Sequence, residues 1–373
     1  MTFGKKRGAK SLSSAIFFMI TVCAFASLLK NPDIAIGYMR QGLRLCAKIV
    51  IPSLFPFMVL SGLFVELGVS DFFSRILWRP MRTLFGISGQ GSSAPIMGAV
   101  CGFPVGALTA KRLYDRGEIS REEFSRLLTF SNNASSAFLI SATGSALWSN
   151  AKFGVVLYVI QIITAVIIGV AQRIIFPIKN SGAMLETEDG GRDAASVRIF
   201  VKVVSESALS MLNVCALILF FASVVGALIS TLEGLGCTQT VKALIYGFFE
   251  ISGAVSEAAK VLPHETGMVI TALVCGWSGL CIHFQIIALC GDSGISFAPY
   301  FAAKAAQGVL SALAMLFYIK VIDPSLPSLC VPAFARIIDE KNTVLTIVAN
   351  AVFVFGVFVF AKKRFRSSRV FTH

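Results

Sequence analysis

The chain has 373 residues, of which 55% are hydrophobic and 14% charged, and its mean hydropathy is +0.78. A soluble domain carries about a quarter charged residues, so this balance excludes an ordinary water-soluble protein and implies a chain that lives in a bilayer. The net charge of +13 raises nucleic acid as a partner. However, the basic residues fall between apolar runs, with neither the aromatic interleaving nor the fold motifs of an RNA or DNA binder, so the expected partners are the lipid bilayer and a small-molecule solute.

Lys5, Lys6, Arg7 and Lys10 precede an apolar run over 11–29. The layout resembles a signal peptide, with Ala24-Phe25-Ala26 as a cleavage-like site, but the run is long for a leader and reads as a retained first helix with a cytoplasmic N-terminus. Asn31-Pro32-Asp33 starts a further helix, on which Arg40, Arg44 and Lys48 share one face. That stripe reads as a surface-lying turn leading into a span over 49–67, which contains Pro52 and Pro56.

Residues 86–110, GISGQGSSAPIMGAVCGFPVGALTA, are long enough to cross a membrane and carry no charge. Yet they hold Gln90, Ser92, Ser93, Pro95 and Pro104. A helix broken at membrane depth leaves backbone groups that must be buried in protein or line a wet cavity, which makes the stretch a candidate binding segment. Gly98, Gly102 and Gly106 recur every four residues and suit close backbone packing. Arg75, Arg79 and Arg82 precede the stretch, and Lys111, Arg112, Arg116, Arg121 and Arg126 follow it. If both groups are cytoplasmic the stretch is a re-entrant hairpin; if only one is, it spans. Residues 117–126 read as a short amphipathic connector.

The next uncharged run, 127–151, contains Ser131-Asn132-Asn133-Ala134-Ser135-Ser136, and polar side chains inside a membrane mark pathways. Residues 153–172 form a plain span, and the polar stretch 177–202 reads as a linker between two halves. In the second half 207–232 is an apolar helix. Residues 241–262 form a span with Glu250 near its middle, where an isolated carboxylate needs a partner, a proton or water. Residues 266–290 are again interrupted, by Gly276, Trp277, Ser278, Gly279, His283 and Gln285. Paired interrupted segments in two halves point to a transporter-type site. The span over 296–319 carries Lys304 and Gln307. Lys304 is read as a cation aimed at an anionic ligand or paired with Glu250, the alternative being a side chain that snorkels. A last span over 342–361 ends in a basic tail, which places the C-terminus in the cytoplasm. The nine cysteines are scattered without a CxxC pair and read as small core residues.

The expected architecture is an all-α polytopic membrane protein of two structural repeats, each with a broken or re-entrant helix, in roughly 8–10 membrane segments. Its divisions are a first helix (1–30), a first repeat (31–176), a linker (177–202), a second repeat (203–320) and a C-terminal part (321–373). The candidate substrate-binding residues are Gln90, Ser92, Asn132, Asn133, Glu250, Ser278, Gln285 and Lys304. No catalytic residue, metal ligand or cofactor is implied, since HExxH, GxSxG and a clustered Asp pair are all missing. Assembly as a homo-oligomer stays open.

Several motifs carry a family resemblance. Ile51-Pro52-Ser53-Leu54-Phe55-Pro56-Phe57, Gly102-Phe103-Pro104-Val105-Gly106-Ala107, Phe130-Ser131-Asn132-Asn133-Ala134, Gly247-Phe248-Phe249-Glu250-Ile251 and CGWSGLCIHFQ together resemble the sporulation integral membrane proteins of the YlbJ type, built on the nucleoside-recognition Gate domain. That resemblance implies movement of dipicolinate, a small aromatic dicarboxylate, across a forespore membrane. More distantly, Gly89-Gln90 with Ala94-Pro95, and Cys275-Gly276-Trp277, look like the two hairpins of concentrative nucleoside transporters. This chain has Gly91-Ser92-Ser93 where those transporters place an acidic residue, which counts against ribose recognition. The expected function is therefore a transporter or facilitator for a small polar, anionic solute. The alternatives are a nucleoside or nucleobase transporter, and a non-transporting scaffold or gating partner of a complex.

Overall fold

The computed structural model describes residues 32–178, 197–234 and 236–330, with a few residues between 22 and 30. Most of the expected first helix, most of the linker, and the final span with its basic tail lie outside the described residues. Those described form helices and turns without a β-strand. Among the described residues four helices are long and apolar enough to cross a membrane: Ala151–Ile175, Val197–Gly234, His264–Ser293 and Ala298–Ile322. At 1.5 Å per residue, 25 residues reach about 37 Å, enough for a hydrocarbon core of about 30 Å.

Ion pairs define the two ends of the bundle. At a basic end, Lys111 meets Asp115 at 2.6 Å and Asp292 at 3.3 Å, Arg116 meets Glu66 at 2.7 Å and Glu118 at 2.6 Å, and Lys202 meets Glu66 at 3.3 Å. At the far end, Lys152 meets Asp323 at 2.7 Å, Lys242 meets Glu233 at 3.4 Å and Lys320 meets Glu265 at 2.6 Å. These anchors fix the direction of each crossing.

The first described helix, α1 (Pro32–Leu45), continues through a π-helical turn, Cys46–Val50, into α2 (Ile51–Glu66). The path runs antiparallel to α9 (Val197–Gly234): the Tyr38 ring lies against Gly226, Gly42 against Ala222 and Leu219, Gly62 against Val203, and Glu66 pairs with Lys202. The basic stripe is therefore not a surface-lying turn. Arg40 and Arg44 point outward from a packed helix whose small residues Ala35 and Gly42 are buried, and charge spacing alone does not reveal the packed side. Then α3 (Val69–Pro80), prolonged by Met81–Phe85, turns away, with 83° between Leu54–Glu66 and Ser70–Phe85.

The uncharged stretch folds back on itself. A 3₁₀ turn, Gly89–Ser92, leads into α4 (Ser93–Cys101), and α5 (Val105–Asp115) follows. A Cβ on Gly106 would lie 2.9 Å from the Cα of Gly98, a proximity possible only if the chain reverses between them. Gly102 sits at φ 81°, a value that favours glycine, and Pro104 has no N–H to continue a ladder. The Ser88 N–H reaches Glu123 at 2.5 Å and Lys111 pairs at the basic end, so the hairpin enters and leaves on one side. This decides between the two readings of 86–110.

Residues 117–126 hold the start of a real helix, α6 (Arg121–Phe130), opened by a capping box between Ser120 and Glu123. After a break at 131–136 the chain resumes as the π-helical α7 (Ala137–Leu147), and α8 (Ala151–Ile175) returns. The span expected over 241–262 is instead two short helices, α10 (Gln239–Phe249) and α11 (Ile251–Val261), which pack on each other and are anchored at the far end. They form a second hairpin, opposite in sense to the first. The interrupted run is α12 (His264–Trp277) and α13 (Gly279–Cys290), separated by Ser278 at φ 77°. Finally α14 (Ala298–Phe317) crosses back and continues to Ile322.

Among the described residues three apolar cores fill the bundle, and two of them flank the centre of the long crossings. One holds Phe153, Leu157 and Ile160 of α8, Cys275 of α12, Met315 of α14 and Leu139 of α7. The other holds Ala165 of α8, Ile282 and Ile286 of α13, Tyr300 of α14 and Phe130 of α6. α8, the α12/α13 run and α14 thus each give one portion to each of these two cores, and the residues between those portions form a separate layer.

Candidate functional site

That layer is polar. On α14, Lys304, Gln307 and Ser311 lie between Tyr300 and Met315, and on α8, Gln161 and Thr164 lie between Ile160 and Ala165; all five are buried. The spacing 304, 307, 311 follows the helical repeat, so one face of α14 presents a polar row. Lys304 is fully buried, and its Nζ donates to the Asn132 carbonyl and to Gln307 Oε1, both at 2.8 Å. Gln307 Nε2 donates to Asn133 Oδ1 at 2.8 Å and to the Gln161 carbonyl at 3.3 Å. Thr164 and Ser311 share a hydroxyl contact of 3.1 Å.

Four chain breaks meet at this layer. The N–H of Phe103, at the tip of the first hairpin, donates to the Asn133 carbonyl at 2.8 Å. The α6/α7 break supplies Asn132 and Asn133 to α14. The end of α12 rests on α14 where Gly276 and Gly308 touch: a Cβ on Gly276 would lie 2.7 Å from the Gly308 Cα. At the start of α13, a Cβ on Gly279 would lie 3.0 Å from the Phe249 carbonyl oxygen, which is the tip of the second hairpin. The two hairpins, anchored at opposite ends, thus bring their tips to a common level, linked through α6/α7, α14 and α12/α13.

The electrostatics differ from the expected Lys304–Glu250 pair. Glu250 is half-buried and caps α11, accepting from the Ser252 N–H at 2.8 Å and the Gly253 N–H at 2.7 Å. Lys304 sits instead on the Asn132 carbonyl, two residues past the C-terminal end of α6. Each ion is stabilised by the oppositely polarised end of a broken helix, which removes the need for them to meet. Among the described residues no carboxylate pairs with Lys304. Of its three N–H donors two are used among the described residues, leaving one available there.

Of the remaining sequence candidates, Asn132 and Asn133 are buried and central, and the Asn132 Oδ1 acceptor is unpaired among the described residues. Ser278 is buried at the α12/α13 break, its hydroxyl 3.5 Å from the Cys275 carbonyl. Among the described residues Gln285 bonds within its own helix, to Cys281 Sγ at 3.4 Å. Gln90 and Ser92 lie on the 3₁₀ turn before the first hairpin, where Gly89 packs against Ser74 and Trp78 of α3 and Gly91 against Leu127. Ser92 is fully buried with an unpaired hydroxyl, and Gln90 is half-buried; no described hydrogen bond joins either to the Lys304 layer. Gln161 and Gln307 are central without having been site candidates. The available signal was an amide inside an apolar span. His283 is also buried here, with Nδ1 2.9 Å from the Tyr300 hydroxyl and the ring at 4.3 Å from that of Trp277. An apolar groove of about 460 Å³ between α1 and α9, lined by Met39, Leu219 and Phe220 among others, lies apart from the layer.

The fold and this layer define the class: an all-helical, multi-pass membrane protein whose broken helices converge on a buried polar centre. Residues 47–160, which take in the first hairpin, the α6/α7 break and Lys152, match the model of the Gate family, described as nucleoside recognition. The chain is similar to the sporulation integral membrane protein YlbJ of Bacillus subtilis (strain 168), at 27% identity over 337 residues, covering 81% of each chain. No solved structure matches.

Proposed function

We propose that this chain is a secondary transporter or facilitator for a small polar anion. The observation that carries the reading is Lys304: a buried ammonium held by a carbonyl and an amide oxygen, with a donor to spare, at the meeting point of two oppositely anchored hairpins. A buried cation without a carboxylate is a site prepared for a ligand's negative charge, and broken helices flanking it are the arrangement used for alternating access. Relatedness to a sporulation membrane protein supports an aromatic dicarboxylate of the dipicolinate type as the solute and the forespore membrane as the location. The dense basic end is assigned to the cytoplasm. Binding and release, without covalent chemistry, complete the cycle.

The test is uptake of radiolabelled pyridine-2,6-dicarboxylate into proteoliposomes. Wild-type protein concentrates or equilibrates the solute faster than empty vesicles. Lys304→Met lowers uptake to background while the protein stays folded by its melting curve, and Lys304→Arg retains part of the activity. Unaltered uptake in Lys304→Met overturns the assigned role. The Gate match favours a second reading, a nucleoside or nucleobase solute. Competition by uridine or uracil, with none by the dicarboxylate, would favour that reading. Transport of neither solute leaves a scaffold or gating role as the better account.

A further inference from the structure

We propose that α3 and its extension to Phe85 form a binding site for anionic phospholipid headgroups, seated at the basic end against the base of the first hairpin. Arg75, Arg79 and Arg82 are spaced by four and three residues, so they share one face, and all three are exposed. Asp71 is the acidic residue of this segment, in its first turn. Phe72, Trp78 and Leu84 are exposed beside them, and the Arg79 guanidinium lies 5.3 Å from the centre of the Trp78 ring. Arginines mixed with exposed aromatic and aliphatic side chains suit the headgroup level of a bilayer, where acyl chains meet the rings and phosphates meet the guanidinium groups.

Orientation supplies a second, independent argument. α2 runs along the bundle antiparallel to α9 and reaches the basic end at Glu66. The 83° bend that follows turns α3 nearly perpendicular to the crossings, and therefore along the membrane surface. A crossing helix with three arginines would be expensive; one lying in the interface is not. The inner side of α3 is closely fitted to the hairpin base, since a Cβ on Gly89 would lie 2.7 Å from Ser74 Oγ and 3.0 Å from the Trp78 Cβ. A headgroup held by these arginines thus holds the turn from which α4 begins.

The site is tested by native mass spectrometry and thermal melting of the full chain in nanodiscs of phosphatidylcholine with or without phosphatidylglycerol. Each arginine at an anionic surface contributes roughly a fivefold gain in binding, so the Arg75→Gln/Arg79→Gln/Arg82→Gln protein should hold phosphatidylglycerol on the order of a hundredfold more weakly. It should also lose the rise in melting temperature that the anionic lipid gives. The control Lys152→Gln/Lys260→Gln/Lys320→Gln removes the same charge from the far end and should keep both properties. Equal losses in the two triple variants would reduce the effect to net charge and overturn the site. Full protection by soluble glycerol phosphate would overturn lipid as the ligand. None of these readouts depends on transport.

Discussion

The two hairpins reach the same layer from opposite ends by different chemistry. The first is a small-residue device. Gly98 and Gly106 bring α4 and α5 together around the Ser131 carbonyl oxygen, and Gly102 takes the left-handed turn. The second has no left-handed residue at its tip. Glu250 lies in extended backbone at φ −148° and ψ 131°, and its carboxylate caps the next helix. A helix can thus be reversed at membrane depth either by removing side chains, so that backbones satisfy one another, or by adding one charge where a helix dipole stabilises it. The first solution fails on steric grounds and the second on electrostatic grounds, and the two should respond differently to substitution.

The largest effect is expected in the first hairpin. A Cβ at Gly98 or Gly106 would fall on the Ser131 carbonyl oxygen, so Gly98→Val and Gly106→Val should each cost about 3 kcal/mol or more and leave little folded protein in size-exclusion profiles. Gly37→Ala on α1, where a Cβ meets nothing within 4 Å, should be neutral or slightly stabilising in the same assay. In the second hairpin Glu250→Ala removes the cap and should cost about 1 kcal/mol, read as a lower melting temperature with the fold retained. Glu250→Gln should recover part of that loss, since an amide oxygen still accepts. If Glu250→Ala is as damaging as Gly98→Val, the electrostatic account of the second tip is wrong.

The hairpin bases should differ less. Lys111 is held by two carboxylates and Lys242 by one, and all three pairs reach exposed partners, so Lys111→Gln should cost somewhat more than Lys242→Gln, both within about 1 kcal/mol. The smallest effect concerns acid at the far end. The Lys152 ammonium, helped by the Ser325 hydroxyl, holds the Asp323 carboxyl below the usual carboxylate range. A depressed folded value adds stability above the unfolded pKa, and that stability disappears as pH falls through the folded value. Asp323→Asn should therefore lower the melting temperature slightly near neutrality and flatten the acid side of the profile, so that the two proteins converge at low pH.

The same contrast explains what could be read from the sequence. The break in the first hairpin was visible because Pro104 and its glycines interrupt a helix by type, though whether the chain spans or re-enters was not, and the α6/α7 break was visible in Ser131-Asn132-Asn133. Lys304 was visible as a charge in an apolar run. Glu250 stood out equally, but a lone carboxylate does not say whether it pairs across space or caps the chain beside it. Ser252 and Gly253, whose N–H groups it accepts, are unremarkable in an apolar segment. Gln161 and Gln307 acquire their role only when α8 and α14 pack, and no spacing within either helix signals that partnership.

Trp277 gives the second hairpin an optical consequence. Its indole N–H donates to the Phe248 carbonyl at 3.1 Å, and its ring stacks on that of Phe248 at 5.9 Å. Of the three tryptophans, Trp78 lies on the exposed face of α3 and Trp148 is fully buried. A chain carrying Trp78→Phe and Trp148→Phe would emit from a single indole tied to the hairpin tip. Undocking of that tip would shift the emission colour and lifetime, so the hairpin's motion can be timed by stopped-flow fluorescence without an attached dye.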